Sequence, residues 1–458
     1  MPKLNKIRLS NKYFLPGLKR WIITLIIGIL FIIFGVALLL KLRPLTTITN
    51  FIWDFLRWIA DLVPAHISGP VILILGGAFV ASSLLYMLKT MVDVTFQERS
   101  SLTDKSPSNT ILQALEKASR KGQGPKIVAI GGGTGLSTLL RGIKSYSNNI
   151  TAIVTVGDDG GSSGRLREEL KVVPPGDIRN CIVALSDEEE VTTSIFQYRF
   201  TEGTLKGHSL GNLFLAALCD LSGDMSKASQ VASRILRTGG TVLPSSVQAI
   251  HLSAEMEDGS IVEGESNIPD ANKKIKKVFA DSLPPALPES VEAIKDADMI
   301  LLGPGSLYTS IIPNLLFPEI VAALRESQAK VFYVSNLVQD KETRGYNVLD
   351  CVNEIISHSG KKIIDTVLVN NTESWDLPKG KPIQVDYLGL SKLGIEVVTR
   401  PKLHNNLGRH NPLRLGRSIM QWFNLRQAAN RRRENDNNNH QTDNRNRANL
   451  KLINQSFR

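Results

Sequence analysis

The chain has 458 residues, a formal net charge of +11 and three cysteines. Three widely spaced cysteines exclude a disulfide framework and a cysteine-based metal site. Residues 1–20 carry six Lys/Arg and no acid, and residues 401–458 carry twelve against three acids. A positive charge confined to the two ends indicates contact with an anionic surface such as a membrane, with RNA as the weaker alternative.

Two uncharged apolar runs, residues 21–40 and 67–88, predict a transmembrane hairpin behind the basic arm. Each run is long enough to span the roughly 30 Å hydrocarbon core as a helix. The alternatives are a signal peptide for the first run and a buried core helix for the second. The signal peptide is disfavoured because the first run is too long and no cleavage site follows it. Between the runs, residues 51–62 predict an interfacial helix.

The positive-inside rule predicts a cytoplasmic location for both termini, and therefore for the soluble part of the chain. We thus expect a multi-pass protein of the cytoplasmic (inner) membrane. Residues 89–125 are polar and predict a linker, and residues 402–458 predict a basic, largely disordered tail. Within the tail, Leu413–Gln427 is basic and amphipathic, so we expect both basic arms to meet anionic lipid.

Residues 126–401 predict an α/β domain with a Rossmann-like, mostly parallel sheet and a small β insertion near Val247–Ile268. The domain opens with an apolar run that meets a glycine turn and then a helical pattern. The turn residues are Gly131, Gly132, Gly133, Thr134 and Gly135. A turn of this kind aims the free N–H groups of a helix at one point and predicts a phosphate site; the alternative is a tight turn without ligand. Leu136 stands where a GxGxxG dinucleotide turn needs glycine, which disfavours a nicotinamide oxidoreductase.

The next strand, Ile150–Val156, ends in the sequence GDDGGSSGRLR. Asp158 and Asp159 suit ribose hydroxyls or a divalent cation such as Mg²⁺ beside a phosphate, and Arg165 and Arg167 suit the phosphate oxygens. A solvated turn is the alternative. Ligands of open α/β sheets lie at the carboxyl ends of the strands, which is where these residues are predicted.

Further candidate ligand contacts lie in four later motifs. They are Asp177 and Asn180 in PPGDIRN, His208 and Asn212 in GHSLGNL, Gly305 and Ser306 in a second glycine loop, and Asn336 at a strand end. A lone histidine is more often a structural residue than a base, and an asparagine is often a plain turn residue.

Five motifs in matching order resemble the gluconeogenesis factor (YvcK-like) family, which shares the CofD-like fold with the 2-phospho-lactate transferases. They are IGGGTGLS, TVGDDGGSSGRLR, PPGDIRN, GHSLGNL and GPGSLYTSIIPNL. The resemblance covers roughly Lys126 to Pro401, and membrane-anchored versions look like a cyanobacterial variant.

The resemblance implies a Rossmann-like domain that binds a UDP-sugar, in the first place UDP-N-acetylglucosamine. It implies a regulator that links carbon metabolism to cell-envelope growth and cell shape, a homo-oligomer, and a protein partner in envelope synthesis or metabolism. The alternative is a Mg²⁺-dependent phosphotransferase of the 2-phospho-lactate transferase type, with Asp158 and Asp159 as metal ligands. The transferases differ at the PPGDIRN segment, and no cofactor beyond Mg²⁺ is implied.

Overall fold

A computed structural model describes residues 26–32, 70–71, 73–83, 85–86, 124–371, 381–405 and 407–429. The chain divides into two compact units, Met1–Lys121 and Gly122–Arg458. The basic arm 1–20, the interfacial helix 51–62, most of the linker 89–125 and residues 430–458 of the tail lie outside the described residues.

The first unit is helical over 26–32 and Leu73–Ser83. The two stretches meet at glycines, since a Cβ added to Gly76 would lie 3.0 Å from the carbonyl oxygen of Gly28. Among the described residues no single helix is both long and apolar enough to cross a membrane. One bent pair, Leu307–Leu315 with Pro318–Glu326, reaches that length and hydropathy together, with a bend of 77°. The predicted two-helix hairpin is thus not shown, and the rest of its two runs lies outside the described residues.

The second unit contains the predicted parallel sheet, which has seven strands. In chain order the strands of this unit are β1 Ile127–Gly131, β2 Ile150–Val154, β3 Thr241–Pro244, β4 Leu252–Met256, β5 Ile261–Glu263, β6 Ile275–Ala280, β7 Met299–Leu302, β8 Lys330–Val334, β9 Thr366–Asn370 and β10 Glu396–Arg400. The sheet order is β10-β9-β8-β7-β1-β2-β3, and every neighbouring pair is parallel. The order reverses between β1 and β7, as in a Rossmann fold with one added strand, and this switch point is where such sheets bind ligands.

Helices cover the two faces of the sheet, which is why β1 and β7 are buried and apolar along their whole length. The helices are α1 Gly133–Ile143, α2 Gly161–Leu170, α3 Pro175–Leu185, α4 Glu189–Phe196, α5 Leu210–Ser222, α6 Met225–Ile235, α7 Pro288–Lys295, α8 Pro318–Glu326, α9 Val348–Ser359, α10 Tyr387–Lys392 and α11 412–429. A π-helical turn over Leu307–Ile311 and a short α-helical turn over Ile312–Leu315 follow β7.

The predicted β insertion is confirmed as a separate antiparallel sheet with the order β5-β4-β6. The hairpin turn between β4 and β5 contains Gly259 at φ +80°, a conformation that glycine adopts without strain. The insertion extends beyond its predicted end because β6 pairs with β4 as a third strand.

Within the predicted basic tail, the amphipathic segment Leu413–Gln427 lies in helix α11, and its predicted contact with lipid is replaced by packing on the domain. This helix packs its apolar face into the core of the domain through Leu415, Ile419, Met420, Trp422 and Phe423. The ring of Trp422 lies 4.9 Å from that of Phe332 on β8, and its indole nitrogen donates to Glu396 at 3.3 Å. The apolar face of this segment is therefore not available to lipid.

Candidate functional site

The two glycine loops touch each other at the switch point of the sheet. A Cβ on Gly135 would lie 2.1 Å from the carbonyl oxygen of Pro304, so only glycine permits this approach of the two backbones. Asn336, at the end of β8, fixes the second loop: its amide nitrogen donates to the Gly305 carbonyl at 2.9 Å, and its oxygen accepts from the Gly305 N–H at 3.2 Å. The predicted contact Asn336 is thus a support of the loop, and Ser306 is half-buried directly before the π-helical turn.

The amino end of α1 faces a carboxylate. Gly133 has φ +59°, and its backbone N–H bonds to the side chain of Asp177, which lies near the start of α3. Burial, followed by repulsion from Asp158, raises the pKa of Asp177 to about 7. A phosphate at this helix end would meet the Asp177 carboxylate, so the anion site predicted from the glycine turn is not formed by α1 alone. Gly131 and Gly132 are buried, and Thr134 is exposed.

Three carboxyl groups gather beside this helix end. Asp158 is half-buried and accepts from the Gly160 N–H at 2.9 Å, and its pKa is raised chiefly by desolvation and further by Asp159. Glu265, from the segment after β5, has its pKa raised to about 8 by burial and then by Asp158 and Asp177. The cluster therefore joins the loop after β2, the start of α3 and the β insertion.

Asp159 is used differently from its neighbour Asp158. Its two carboxylate oxygens accept the backbone N–H groups of Glu265 and Ser266, each at 2.9 Å. Asp159 thereby ties the β insertion to the loop after β2. The same insertion reaches the loop after β8, where Lys341 pairs with Asp270 at 2.5 Å and Arg344 donates to Asn272. Residues 264–272 thus connect the two sides of the switch point.

The engagement of Asp159 argues against Asp158 and Asp159 as a pair of metal ligands. Among the described residues, no group of three His, Cys, Asp or Glu side chains is arranged to hold a metal ion. Asp158 and Asp177 fit Mg²⁺ better, because Mg²⁺ is commonly bound by one or two carboxylates together with substrate phosphates and water. A bound cation would also relieve the repulsion between these two side chains.

Arg179 on α3 lies at the centre of a buried polar network. Its guanidinium donates to Ser209 Oγ at 2.5 Å, Asn212 Oδ1 at 2.7 Å and Asn180 Oδ1 at 2.9 Å. Burial, with Arg199 as the next cause, lowers its pKa to about 10. The buried Nε of Arg179 has no hydrogen-bond partner among the described residues. The predicted contacts Asn180 and Asn212 thus hold an arginine that the sequence analysis did not single out.

His208 and Arg165 also take supporting positions. Nδ1 of His208 lies 3.1 Å from the hydroxyl of Ser162, which also accepts from the Asn212 amide at 3.1 Å. Arg165 is exposed and donates to the Lys206 carbonyl at 3.0 Å. Arg167 is the buried cation of this loop and donates to the Gly157 carbonyl at 3.3 Å. Its second terminal nitrogen has no partner in the part of the chain that the structure describes.

The comparisons with known proteins agree with this architecture. The family described as 2-phospho-L-lactate transferase CofD matches residues 127–403. The gluconeogenesis factor of Bacillus subtilis (strain 168) is 48% identical over 288 residues, which are 60% of this chain and 90% of that protein. A Nostoc sp. relative, also named as a gluconeogenesis factor, is 44% identical over 428 residues, which are 90% of this chain and 92% of that protein.

The chain belongs to the gluconeogenesis factor family. A crystal structure of a Bacillus halodurans protein, 46% identical, superposes with a TM-score of 0.62 and covers 64% of this chain and 98% of its own. The Bacillus subtilis relative therefore matches a length close to that of the α/β domain, whereas the Nostoc relative aligns with nearly all of this chain.

Three residues of the site in this family member were missed by sequence reasoning: Arg179, Glu265 and Glu342. Arg179 stands in PGDIRNCIVAL, and an arginine among buried apolar residues of one helix was a usable signal. Glu342 accepts the Tyr308 N–H at 2.9 Å and the Thr309 hydroxyl at 2.6 Å, and so holds the π-helical turn after the second glycine loop. Neither glutamate lies in a motif, so no local signal distinguished them from surface acids.

Proposed function

We propose that this member of the gluconeogenesis factor family binds a UDP-sugar, in the first place UDP-N-acetylglucosamine, at the switch point of the sheet beside the amino end of α1. We propose that it acts as a regulator linking carbon metabolism to envelope growth and cell shape. The observation that carries the proposal is the pair of buried arginines, Arg167 and Arg179, each with a nitrogen that finds no acceptor among the described residues.

A diphosphate suits these two arginines. A buried donor without an acceptor costs about 1–3 kcal/mol, and more when the group is charged. Both arginines interact electrostatically with Asp158, which lies next to Asp177 at the amino end of α1. Phosphate oxygens supply the missing acceptors in charge-assisted hydrogen bonds, and Mg²⁺ on Asp158 and Asp177 would balance the adjoining negative charges.

Glu265 suits the hydroxyl groups of a ribose or a sugar. With its pKa raised to about 8, this half-buried side chain is largely protonated at neutral pH in the ligand-free protein. A protonated carboxyl group both donates and accepts a hydrogen bond, which matches a hydroxyl.

The arrangement favours a regulator over the alternative phosphotransferase. Cys181, Cys219 and Cys351 are buried with raised pKa values, which disfavours thiolate chemistry. The Ser162 hydroxyl lies beside His208, but it is also bonded to Asn212, and burial lowers the pKa of His208. In the described part of the chain no carboxylate bonds to this imidazole, so the orienting third group of a nucleophile–base pair is lacking.

The experiment is a calorimetric titration of residues 122–458, which form one compact unit matching the solved Bacillus halodurans relative. UDP-N-acetylglucosamine, UDP-glucose, GDP and NAD are each tested with and without Mg²⁺. We expect saturable binding of the UDP-sugars and no release of UMP or UDP. Turnover that disappears in Asp158→Asn would instead establish the transferase, and absence of UDP-sugar binding would refute the proposed ligand.

We also propose that the first unit anchors the protein in the cytoplasmic membrane, where an envelope-synthesis or metabolic protein would be its partner. Large apolar side chains of the described helical stretches are exposed, among them Ile26, Phe31, Ile74, Leu75 and Leu85. The contact between Gly28 and Gly76 is of the small-residue kind that lets helices pack closely in lipid. Aqueous exposure of such a surface would be unfavourable, whereas lipid would cover it.

A further inference from the structure

Helices α4 and α5 carry exposed apolar side chains where the outer surface of a helix is usually polar. Val191 and Ile195 on α4 are 56% and 47% exposed, and Leu221 on α5 is 81% exposed. The rings of Phe196 and Phe214 lie 5.2 Å apart and hold the two helices together. Isolated apolar side chains on a surface are ordinary, but a continuous group of them marks an interaction site.

The exposed apolar residues of the two helices join at the connection between them. The carbonyl of Tyr198, which follows α4, accepts the N–H of Leu210 at the start of α5 at 2.9 Å. Both side chains are exposed. We call the group Val191, Ile195, Tyr198, Leu210 and Leu221 the α4–α5 surface.

The exposed charges around the α4–α5 surface are mostly negative. Between residues 187 and 222 the exposed charged residues are five acids and two bases: Asp187, Glu188, Glu190, Glu202, Asp220, Arg199 and Lys206. Glu189 is half-buried and pairs with Arg141 and Lys144. The neighbouring helix α2 carries two acids and two arginines, and α6 with its capping Asp224 carries two bases against one acid. Anionic lipid is therefore repelled by this surface, whereas an apolar and basic segment is attracted to it.

The last fifteen residues of this chain, 444–458, have that chemistry; we call them the C-terminal segment. They lie outside the described residues. The segment contains no acid and four bases, which are Arg445, Arg447, Lys451 and Arg458. Its residues Leu450, Ile453 and Phe457 recur at intervals of three and four, a spacing that places them on one face of a helix. A polar segment of this kind orders when a surface covers its apolar side.

The C-terminal segment is tethered within reach of the α4–α5 surface, because α11 and α4 both contact the carboxyl end of α1. A Cβ added to Gly142 on α1 would lie 3.0 Å from the backbone nitrogen of Gly416 on α11. Two residues further along α1, Lys144 pairs with Glu189 on α4 at 2.6 Å. The thirteen residues of α11 after Gly416 extend about 20 Å. Residues 430–443 then span up to roughly 45 Å when extended, which is more than the return path requires.

We propose that the C-terminal segment docks on the α4–α5 surface of its own chain, with its three large apolar residues on the exposed apolar side chains and its bases beside the acids. A tether of this length gives an effective concentration on the order of millimolar, so a weak contact is sufficient. The docked segment would lie next to the start of α5, where Ser209 caps the helix and accepts from Arg179. This inference goes beyond the proposed function and does not depend on the identity of the ligand.

The test is cross-linking within residues 122–458 at micromolar concentration. All three native cysteines are buried, so introduced surface cysteines react selectively. Ser194→Cys, beside Ile195 on α4, is combined with Ser456→Cys in the C-terminal segment. The matched control combines the same Ser456→Cys with Ser391→Cys, which replaces an exposed serine on α10.

We expect a short bismaleimide to join the cysteines at 194 and 456 within one chain at least about tenfold faster than those at 391 and 456. The difference should shrink in about 1 M salt, which screens the attraction between bases and acids. Equal rates for the two pairs would overturn the proposal. A product that joins two chains in place of one would overturn it as well.

Hydrogen exchange gives a second measurement with a variant that leaves the folded domain unaltered. Leu450→Asp/Ile453→Asp/Phe457→Asp changes only the C-terminal segment. We expect the backbone amides of α4 and α5 to exchange at least about threefold faster in this variant than in the wild type, and those of α10 to be unchanged. Identical exchange in α4 and α5 would contradict docking. Binding of the segment to anionic vesicles, with no protection of α4 and α5, would assign it to lipid and equally overturn the proposal.

Discussion

Arg179 is held in place by hydrogen bonds from its guanidinium to residues of two sequence motifs. Asn180, Ser209 and Asn212 each accept from its guanidinium, so all three are motif residues that support a cation. Among the described residues, only the Nε of Arg179 is left without a hydrogen-bond partner in this guanidinium. A buried cation fixed in this way is preorganised for an anion.

Glu342 gives a prediction on the pH dependence of stability. Burial, with Asp340 as the next cause, raises its pKa from 4.5 to about 7. Because the folded pKa lies above the unfolded one, Glu342 contributes stability that is complete below about pH 4.5 and is lost as the pH rises through about 7. In Glu342→Gln this contribution is absent. The difference in unfolding free energy between wild type and variant should fall by at most roughly 3 kcal/mol across that interval.

The measurement is urea unfolding of residues 122–458 at several pH values for both proteins. Asp177 and Glu265 titrate in both, so their effects largely cancel in the difference. Glutamine keeps an oxygen that accepts from the Thr309 hydroxyl, which limits the change to the titrating group. A difference that is independent of pH would show that Glu342 is not perturbed as described.

At the level of residues, the sequence indicated where side chains lie in the fold, but it did not indicate which groups they bond to. Asp158 and Asp177 lie together at the switch point, as their motifs and the strand ends predicted. In the structure Asp159 bonds to the backbone of the β insertion, Asn336 bonds to the second glycine loop, and Arg165 is exposed. A motif does not say whether a side chain turns toward a ligand site, a neighbouring backbone or solvent. The contribution of Glu265 depends on the placement of the β insertion, a long-range contact that no local pattern encodes.

At the level of elements, the buried parallel strands were predictable and α11 was not. The run Lys330–Val334 is apolar and β-branched or aromatic after its first residue, and the structure forms a strand with these bounds. Helix α11 has the pattern of a basic amphipathic helix, and that pattern is the same whether the apolar face meets lipid or the core. The choice depends on a gap left by the sheet and α1, where Gly142 and Gly416 allow the two helices to touch.

The role of α11 leads to a prediction on stability. Trp422 is buried against Phe332, so Trp422→Ala should lower the unfolding free energy of residues 122–458 by about 3–5 kcal/mol. Leu425→Ala, on the exposed side of the same helix, should change it by less than about 0.5 kcal/mol. Urea denaturation measures both. Equal midpoints for the two variants would mean that α11 is not part of the folded core.

At the level of the whole molecule, the chain combines an α/β domain of established family with an N-terminal unit for which we propose membrane anchoring. A reporter fused after Arg458 should be exposed to the cytoplasm, because the basic residues that flank the two apolar runs favour that side. Deletion of residues 1–88 should release the protein from the membrane fraction. A reporter exposed on the opposite side would contradict the proposed topology, and a deletion variant that stays in the membrane fraction would contradict the anchor.

The most direct test of the account is the affinity of residues 122–458 for UDP-N-acetylglucosamine in Arg179→Lys and in Arg165→Lys. Lysine keeps the charge of Arg179 but loses the planar set of donors that bonds its three neighbours and a phosphate together. Titration calorimetry should show affinity lower by roughly tenfold or more for Arg179→Lys. The exposed Arg165→Lys variant should bind within about twofold of the wild type, because arginine and lysine at position 165 would both carry their charge in solvent. Equal affinity of the two variants would place the ligand away from Arg179 and the switch point of the sheet.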